Sequence, residues 1–252
     1  MKRISLGIWA VAGIAAASVN AATITIVNVD GPGEGFNDTT AVAAEPGGAP
    51  TTLGAERLKV FTAAANQWAA VLNSSVPIRI NAKFDPQTCD ANGAVLGSAG
   101  ANGWLRNFTN APPGHTTDTW FAVAEANALA GSDLSPANDD IVMTFNVSID
   151  AGCLPGTTGW WYATDNSTPI PDEQIALMPV VFHEIAHGLG FQTLTNTANG
   201  EWPGGNPRSG RRADIWLHYL MDRNLGVNGT TWFGMGNTNT GDAQRVASAI
   251  DD

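Results

Sequence analysis

Residues 181–191 read Val-Phe-His-Glu-Ile-Ala-His-Gly-Leu-Gly-Phe. His183 and His187 are four positions apart, so on a helix of 3.6 residues per turn both imidazoles project from one face and can grip a single metal ion. Glu184 follows the first histidine at about 100° around the helix axis. From there a carboxylate can take a proton from an activated water without being a ligand itself. Val181, Phe182, Ile185 and Leu189 supply an apolar face, and Gly188 and Gly190 end the helix where the chain must turn. The helix starts either at Pro171, with a kink at Pro179, or at Pro179 as its first residue. The second start is predicted, because proline fits a first turn better than a helix interior.

A catalytic zinc takes three protein ligands and one open position, so one more residue is required. Asp214 opens a predicted helix over 213–222, which Gly226 ends, and is the expected third ligand. His218, one turn further along that helix, is the alternative. Glu201 and His115 lie in loops and remain further candidates. Whichever of Asp214 and His218 is not a ligand is placed to hydrogen-bond a ligand histidine. The loop after residue 29 carries Asp30 and Glu34, with Glu45 beyond. Calcium is a secondary candidate ion there, but the spacing matches no calcium loop and predicts a plain turn.

The elements that must position these residues follow from periodicity. Residues 23–29 alternate and are β-branched, a first strand. A Gly/Pro-rich loop then leads to a helix capped by Thr51 or Thr52. Leu58, Phe61, Ala65, Trp68, Ala69 and Leu72 recur on it at helical spacing, and Trp68 reads as core. Residues 76–84 alternate again, and strand–helix–strand predicts a parallel crossover. Residues 85–118 read mostly as loop, and 119–130 as a short helix. A third strand over 141–149 is either an ordinary sheet strand or one that accepts an extended peptide. Trp160-Trp161-Tyr162 lines a pocket or packs a loop, and Tyr162, His218 and Tyr219 are candidate oxyanion donors. Residues 242–250 read as a last helix cut off by the end of the chain, which suggests that more chain follows.

At 252 residues with 44% hydrophobic content and a mean hydropathy of −0.04, the chain can build one sizeable core. Met1-Lys2-Arg3, the apolar run over 6–17 and the small residues up to Ala21 read as a signal peptide cleaved after Ala21 or Ala22. No apolar run is long enough for a membrane span. The formal charge of −11 argues against nucleic acid as a partner. Cys89 and Cys153, the only two cysteines, are expected to pair in a secreted or periplasmic protein.

His183-Glu184-x-x-His187-x-x-Gly190, with the order strand, helix, strand, strand, active-site helix, resembles the zincin metallopeptidases, on their metzincin side. Those enzymes place a third histidine where this chain has Thr193. Phe182–Phe191, Asp214-Ile215-Trp216 and the stretch over 242–248 look like a group of secreted bacterial zincin-like proteins. The resemblance implies an α+β fold with a mixed twisted sheet over residues 22 to about 191, and a smaller C-terminal lobe beyond. It also implies a methionine turn, for which Met221 and Met235 are candidates. The function so implied is a secreted zinc-dependent endopeptidase that hydrolyses a protein or peptide substrate with a zinc-activated water, Glu184 being the general base. The alternatives are a zincin-derived binding or adhesive module without chemistry, and a zinc hydrolase of a non-peptide amide. The oligomeric state is left open.

Overall fold

The structure is a computed structural model describing residues 21–42, 51–112, 118–165, 167–204, 207–222 and 230–250. The expected signal segment up to residue 20, Glu45, Pro113, His115 and Gly226 lie outside the described residues.

The fold is mixed α+β. The first strand, β1 (Ile24–Asn28), runs parallel to β2 (Ile78–Asp85), and α1 (Leu53–Val71) crosses between them. Thr52 caps α1, its hydroxyl oxygen accepting from the Ala55 N–H at 3.2 Å. The crossover follows from β-branched alternation on both sides of a capped amphipathic helix.

Two expectations change at the sheet. Gly97–Ala101 lies in the stretch read as loop and forms β3, antiparallel to β4 (Ile141–Asn146). Its sequence, Gly-Ser-Ala-Gly-Ala, has neither alternation nor β-propensity, so backbone pairing alone makes it a strand. Gly97 is needed for space, since a Cβ there would stand 3.0 Å from the Phe145 ring. The strand order is β1-β2-β4-β3, and β4 is paired on both sides. The strand read as a possible peptide acceptor is therefore internal, and the free backbone edge next to it belongs to β3. After β4 the chain turns through a 3-10 segment at Val147–Ile149 in place of further strand.

The helix predicted over 119–130 begins later, as α2 (Val123–Ala130). A two-stranded parallel ribbon pairs β5 (Gly159–Trp161) with β6 (Gln174–Ala176), which excludes a helix start at Pro171. Helix α3 (Leu177–Gly188) follows at once, with Pro179 in its first turn. An N–H there has no intrahelical acceptor, so proline costs no hydrogen bond and makes no kink. Leu177, Val181 and Ile185 bury α3 in the main core, with Phe61, Phe84, Phe145 and Trp160. Gly188 permits the close approach to β4, since a Cβ would stand 2.3 Å from the Ile141 side chain.

The predicted helix over 213–222 is reduced to one 3-10 turn, Ile215–His218. The Trp120 N–H donates to the Ala213 carbonyl and the Ile215 N–H to the Trp120 carbonyl, both at 2.9 Å. Those bonds hold the segment's start extended beside Trp120, in an isolated parallel bridge between Trp120 and Asp214. The final helix, α4 (Asn239–Ile250), packs on a second core cluster of Ala213, Leu217, Trp232 and Met235. Met221 is exposed and Met235 is buried in that cluster. The guanidinium of the fully buried Arg245 pairs with Asp242 and donates to the carbonyls of Gly200, Trp232 and Gly236. Cys89 and Cys153 form a disulfide. No helix among the described residues is long and apolar enough to cross a membrane.

Asp30 closes the first loop as a turn. Its carboxylate accepts the N–H groups of Phe36 at 2.7 Å and Phe84 at 3.0 Å, while Glu34 accepts that of Gly31.

Candidate metal centre and its cavities

Helix α3 presents His183 and His187 one turn apart, with Nε2 atoms 3.0 Å from each other. Two nitrogens on one tetrahedral zinc, each about 2.0–2.1 Å from it, stand about 3.3 Å apart. The pair therefore has the spacing of two zinc ligands.

The helix end sets the tautomer of the second one. The Gly190 N–H bonds to the His187 carbonyl at 3.1 Å and the Phe191 N–H to the Ala186 carbonyl at 2.9 Å, a Schellman turn with Gly190 at φ +110°. The turn swings the Phe191 carbonyl back to 2.9 Å from His187 Nδ1. A carbonyl only accepts, so Nδ1 carries the hydrogen and Nε2 offers its lone pair toward His183. Helix-stop glycine, carbonyl position and imidazole tautomer are thus one connected device. Gly190→Ala is expected to cost about 1–3 kcal/mol of stability by forcing a side chain into positive φ. It should also weaken metal binding at His187; unchanged metal affinity, measured calorimetrically, would separate the turn from the ligand.

Glu184 is half-buried beside the pair, three residues before His187 and so next to it on the helix surface. The third-ligand candidates have other partners. Asp214 is fully buried and caps the 3-10 turn. Its Oδ2 accepts the Thr193 hydroxyl at 2.9 Å and the Leu194 N–H at 2.8 Å, and its Oδ1 accepts the Leu217 N–H at 3.2 Å. Burial pushes its carboxyl up, and these bonds oppose the rise. The structure thus gives Asp214 the role of a cap, bonded to Thr193, which stands where the resemblance calls for a histidine. His218 stacks on Phe233 with ring centroids 3.9 Å apart, and Glu201 pairs with Arg211 at 2.7 Å. Among the described residues no group of three His, Cys, Asp or Glu is arranged to hold a metal. His183 and His187 have the spacing of a ligand pair, and no third group joins them among the described residues.

The histidines line a cavity of about 800 Å³, within the range of small-molecule and peptide side-chain sites. Its walls are mainly apolar, with Trp68, Trp161, Ile170, Met178, Phe182 and Phe191 prominent. Trp68, read as core, packs against the main core and also lines the cavity; it stacks on Phe182 at 4.6 Å and donates its indole N–H to the Phe182 carbonyl at 3.0 Å. The Trp160-Trp161-Tyr162 cluster divides three ways. Trp160 is core, Trp161 lines the cavity, and Tyr162 donates its hydroxyl to Asp150 at 2.7 Å. Burial pushes the Tyr162 phenol up, and its hydrogen bond to Asp150 is already made, which leaves Tyr219 the more accessible oxyanion candidate, at 60% exposure.

No protein-family model, curated protein or solved structure matches the chain. The functional reading therefore rests on the residues alone.

Behind the end of α3 lies a second, smaller cavity of about 200 Å³, lined by Glu125 with Trp68, Phe191, Trp216 and Tyr219 among others. Sequence reasoning missed it, since Glu125 is one acidic residue in the first turn of a short helix. Burial raises the Glu125 carboxyl from its ordinary 4.5 to about 7. The folded state thus holds this proton more tightly than the unfolded chain, so stability falls as pH rises from about 4.5 through 7 and stays lowered above. The cost of ionising it is at most about 3 kcal/mol. Glu125→Gln is expected to gain up to that amount over the wild type at pH 8 and nothing at pH 4, in urea unfolding followed by fluorescence. A difference independent of pH would contradict the burial argument.

Proposed function

We propose that the protein is a secreted zinc-dependent endopeptidase, in which His183 and His187 hold the metal and Glu184 is the general base. The observation that carries this reading is the paired Nε2 atoms at 3.0 Å, with His187 Nδ1 turned to the Phe191 carbonyl, on the wall of the large cavity. Further support comes from the mixed sheet, which the zincin resemblance implies, and from its antiparallel edge strand β3, which packs against α3. Zinc, when bound, supplies Lewis acidity that polarises a peptide carbonyl and acidifies water. Glu184 accepts the proton of the attacking water on its carboxylate and delivers it to the departing amine nitrogen. The edge of β3 offers N–H and C=O groups for an extended substrate, and the large cavity takes an apolar side chain.

The capping role of Asp214 favours a second reading, a zincin-derived binding module that keeps the cavity without the chemistry. Zinc content and casein cleavage separate the two. The enzyme is expected to hold one zinc per chain and to cleave casein until a chelator is added. His187→Ala should lower zinc affinity by about 10-fold or more. Zinc binding without chelator-sensitive cleavage would select the binding module, and no zinc binding by the wild type would sink the enzyme reading.

A further inference from the structure

The smaller cavity is built around a carboxylate that no structural role explains. Glu125 lies in the first turn of α2, and among the described residues no hydrogen bond or ion pair reaches it. Its Oε2 stands against the backbone of Gly190, where a Cβ would come within 3.4 Å. Trp68, Phe191, Trp216 and Tyr219 line the same pocket. Phe191 and Trp216 are in ring contact at 4.2 Å, and Trp216 and Tyr219 at 6.3 Å. Besides Glu125, the titratable group on this wall is the phenol of Tyr219; the other lining residues are apolar. A half-buried acid that shares a pocket with four aromatic rings and lacks a partner among the described residues is an arrangement that can capture an organic cation. The rings contribute cation–π attraction and the carboxylate a charge-assisted hydrogen bond.

We propose that this pocket binds the guanidinium or ammonium group of a basic side chain, so that the peptides processed carry arginine or lysine close to the cleaved bond. The peptide context rests on the endopeptidase reading; the cation site does not. Size and position both agree. About 200 Å³ is below the range for a whole small-molecule ligand and suits a single side chain. Trp68, Ala186 and Phe191 line this pocket and the large cavity alike, forming a shared wall between them. A peptide with an apolar residue in one cavity and a basic residue in the other would straddle the end of α3 beside His187. The net charge of −11 draws basic peptides toward the protein.

The test is a ligand-observed NMR titration of the full protein with n-butylguanidinium and its neutral counterpart n-butylurea. The wild type is expected to bind the cation about tenfold more tightly or better, and Glu125→Gln to erase the difference. Because the glutamine variant removes a costly buried charge, its fold is not at risk, and a melting curve confirms that. Equal binding of the two probes, discrimination surviving in Glu125→Gln, or no saturable binding by the wild type would each overturn the proposal. A peptide-library cleavage map gives an independent readout, with basic residues enriched at one position for the wild type and not for the variant. Cation binding without cleavage would leave the site standing and remove the peptidase reading. Cleavage without cation discrimination would do the reverse.

Discussion

Glu184→Gln is expected to lower casein proteolysis by a factor of about 10²–10⁴ while leaving zinc stoichiometry unchanged. The amide has the size and shape of the carboxylate, so α3, half-buried at this position, keeps its packing. What the amide lacks is a site for the proton. The attacking water then has no base, and the departing nitrogen has no donor. Both histidines remain one turn apart with His187 Nδ1 on the Phe191 carbonyl, so metal content serves as the internal control. Proteolysis at the wild-type rate in a zinc-loaded Glu184→Gln sample would rule out this residue as the base. Loss of zinc together with activity would show instead that Glu184 supports the metal ligands.

The second large effect concerns Arg57, whose removal should cost about 3–5 kcal/mol, read as a lowered urea midpoint. Arg57 is 1% exposed. It donates to Asp150 at 2.7 Å and to the Gly35 carbonyl at 2.8 Å, and stands 4.6 Å from the Phe84 ring centroid. Asp150 in turn accepts the Tyr162 hydroxyl and, at 3.1 Å, the Trp160 N–H. The network ties α1 to the ribbon that carries Trp161, a wall of the large cavity. Arg57→Ala leaves Asp150 without its cation and the Tyr162 end of the ribbon without its anchor. Replacing Arg57 and Asp150 together by apolar residues should cost less than the arginine change alone, because the nearer carboxylate goes with its cation and only Asp38, 3.6 Å from the guanidinium and partly solvated, loses a partner. A double variant as unstable as the sum of the singles would show that the two act independently. The single variant should also lose affinity for any ligand of the large cavity, since Trp161 loses its fixed backbone.

How much of this could be read from the chain depends on how local the cause is. The spacing of His183, Glu184 and His187 needs only helix geometry to bring two imidazoles together, and α3 delivers it. The same holds for the Thr52 cap, the alternation of β1 and β2, and the pairing of the only two cysteines, Cys89 with Cys153. Gly190 was legible as a helix stop, because positive φ is a property of one residue. Its further consequence, the Phe191 carbonyl on His187 Nδ1, emerges only when the turn is built.

Other features depend on partners far along the chain. Gly97–Ala101 is a strand because β4 lies beside it, and nothing in five small residues announces that. Asp214 had the chemistry of a ligand, but Thr193, Leu194 and Leu217 reach its oxygens first, so folding makes it a cap. Trp68 carried the periodicity of a core residue and does pack against the core, but its place where α1 meets α3 also puts its ring on a cavity wall. Glu125 gave no signal at all. A carboxylate acquires a raised proton affinity and an aromatic surround only when α2, the end of α3 and the turn at 215–218 converge on it. By itself the sequence determined two histidines and a base on a helix, through periodicity along one element. The third dimension decided what surrounds them, because burial, desolvation and hydrogen-bond competition are set by residues a hundred positions away.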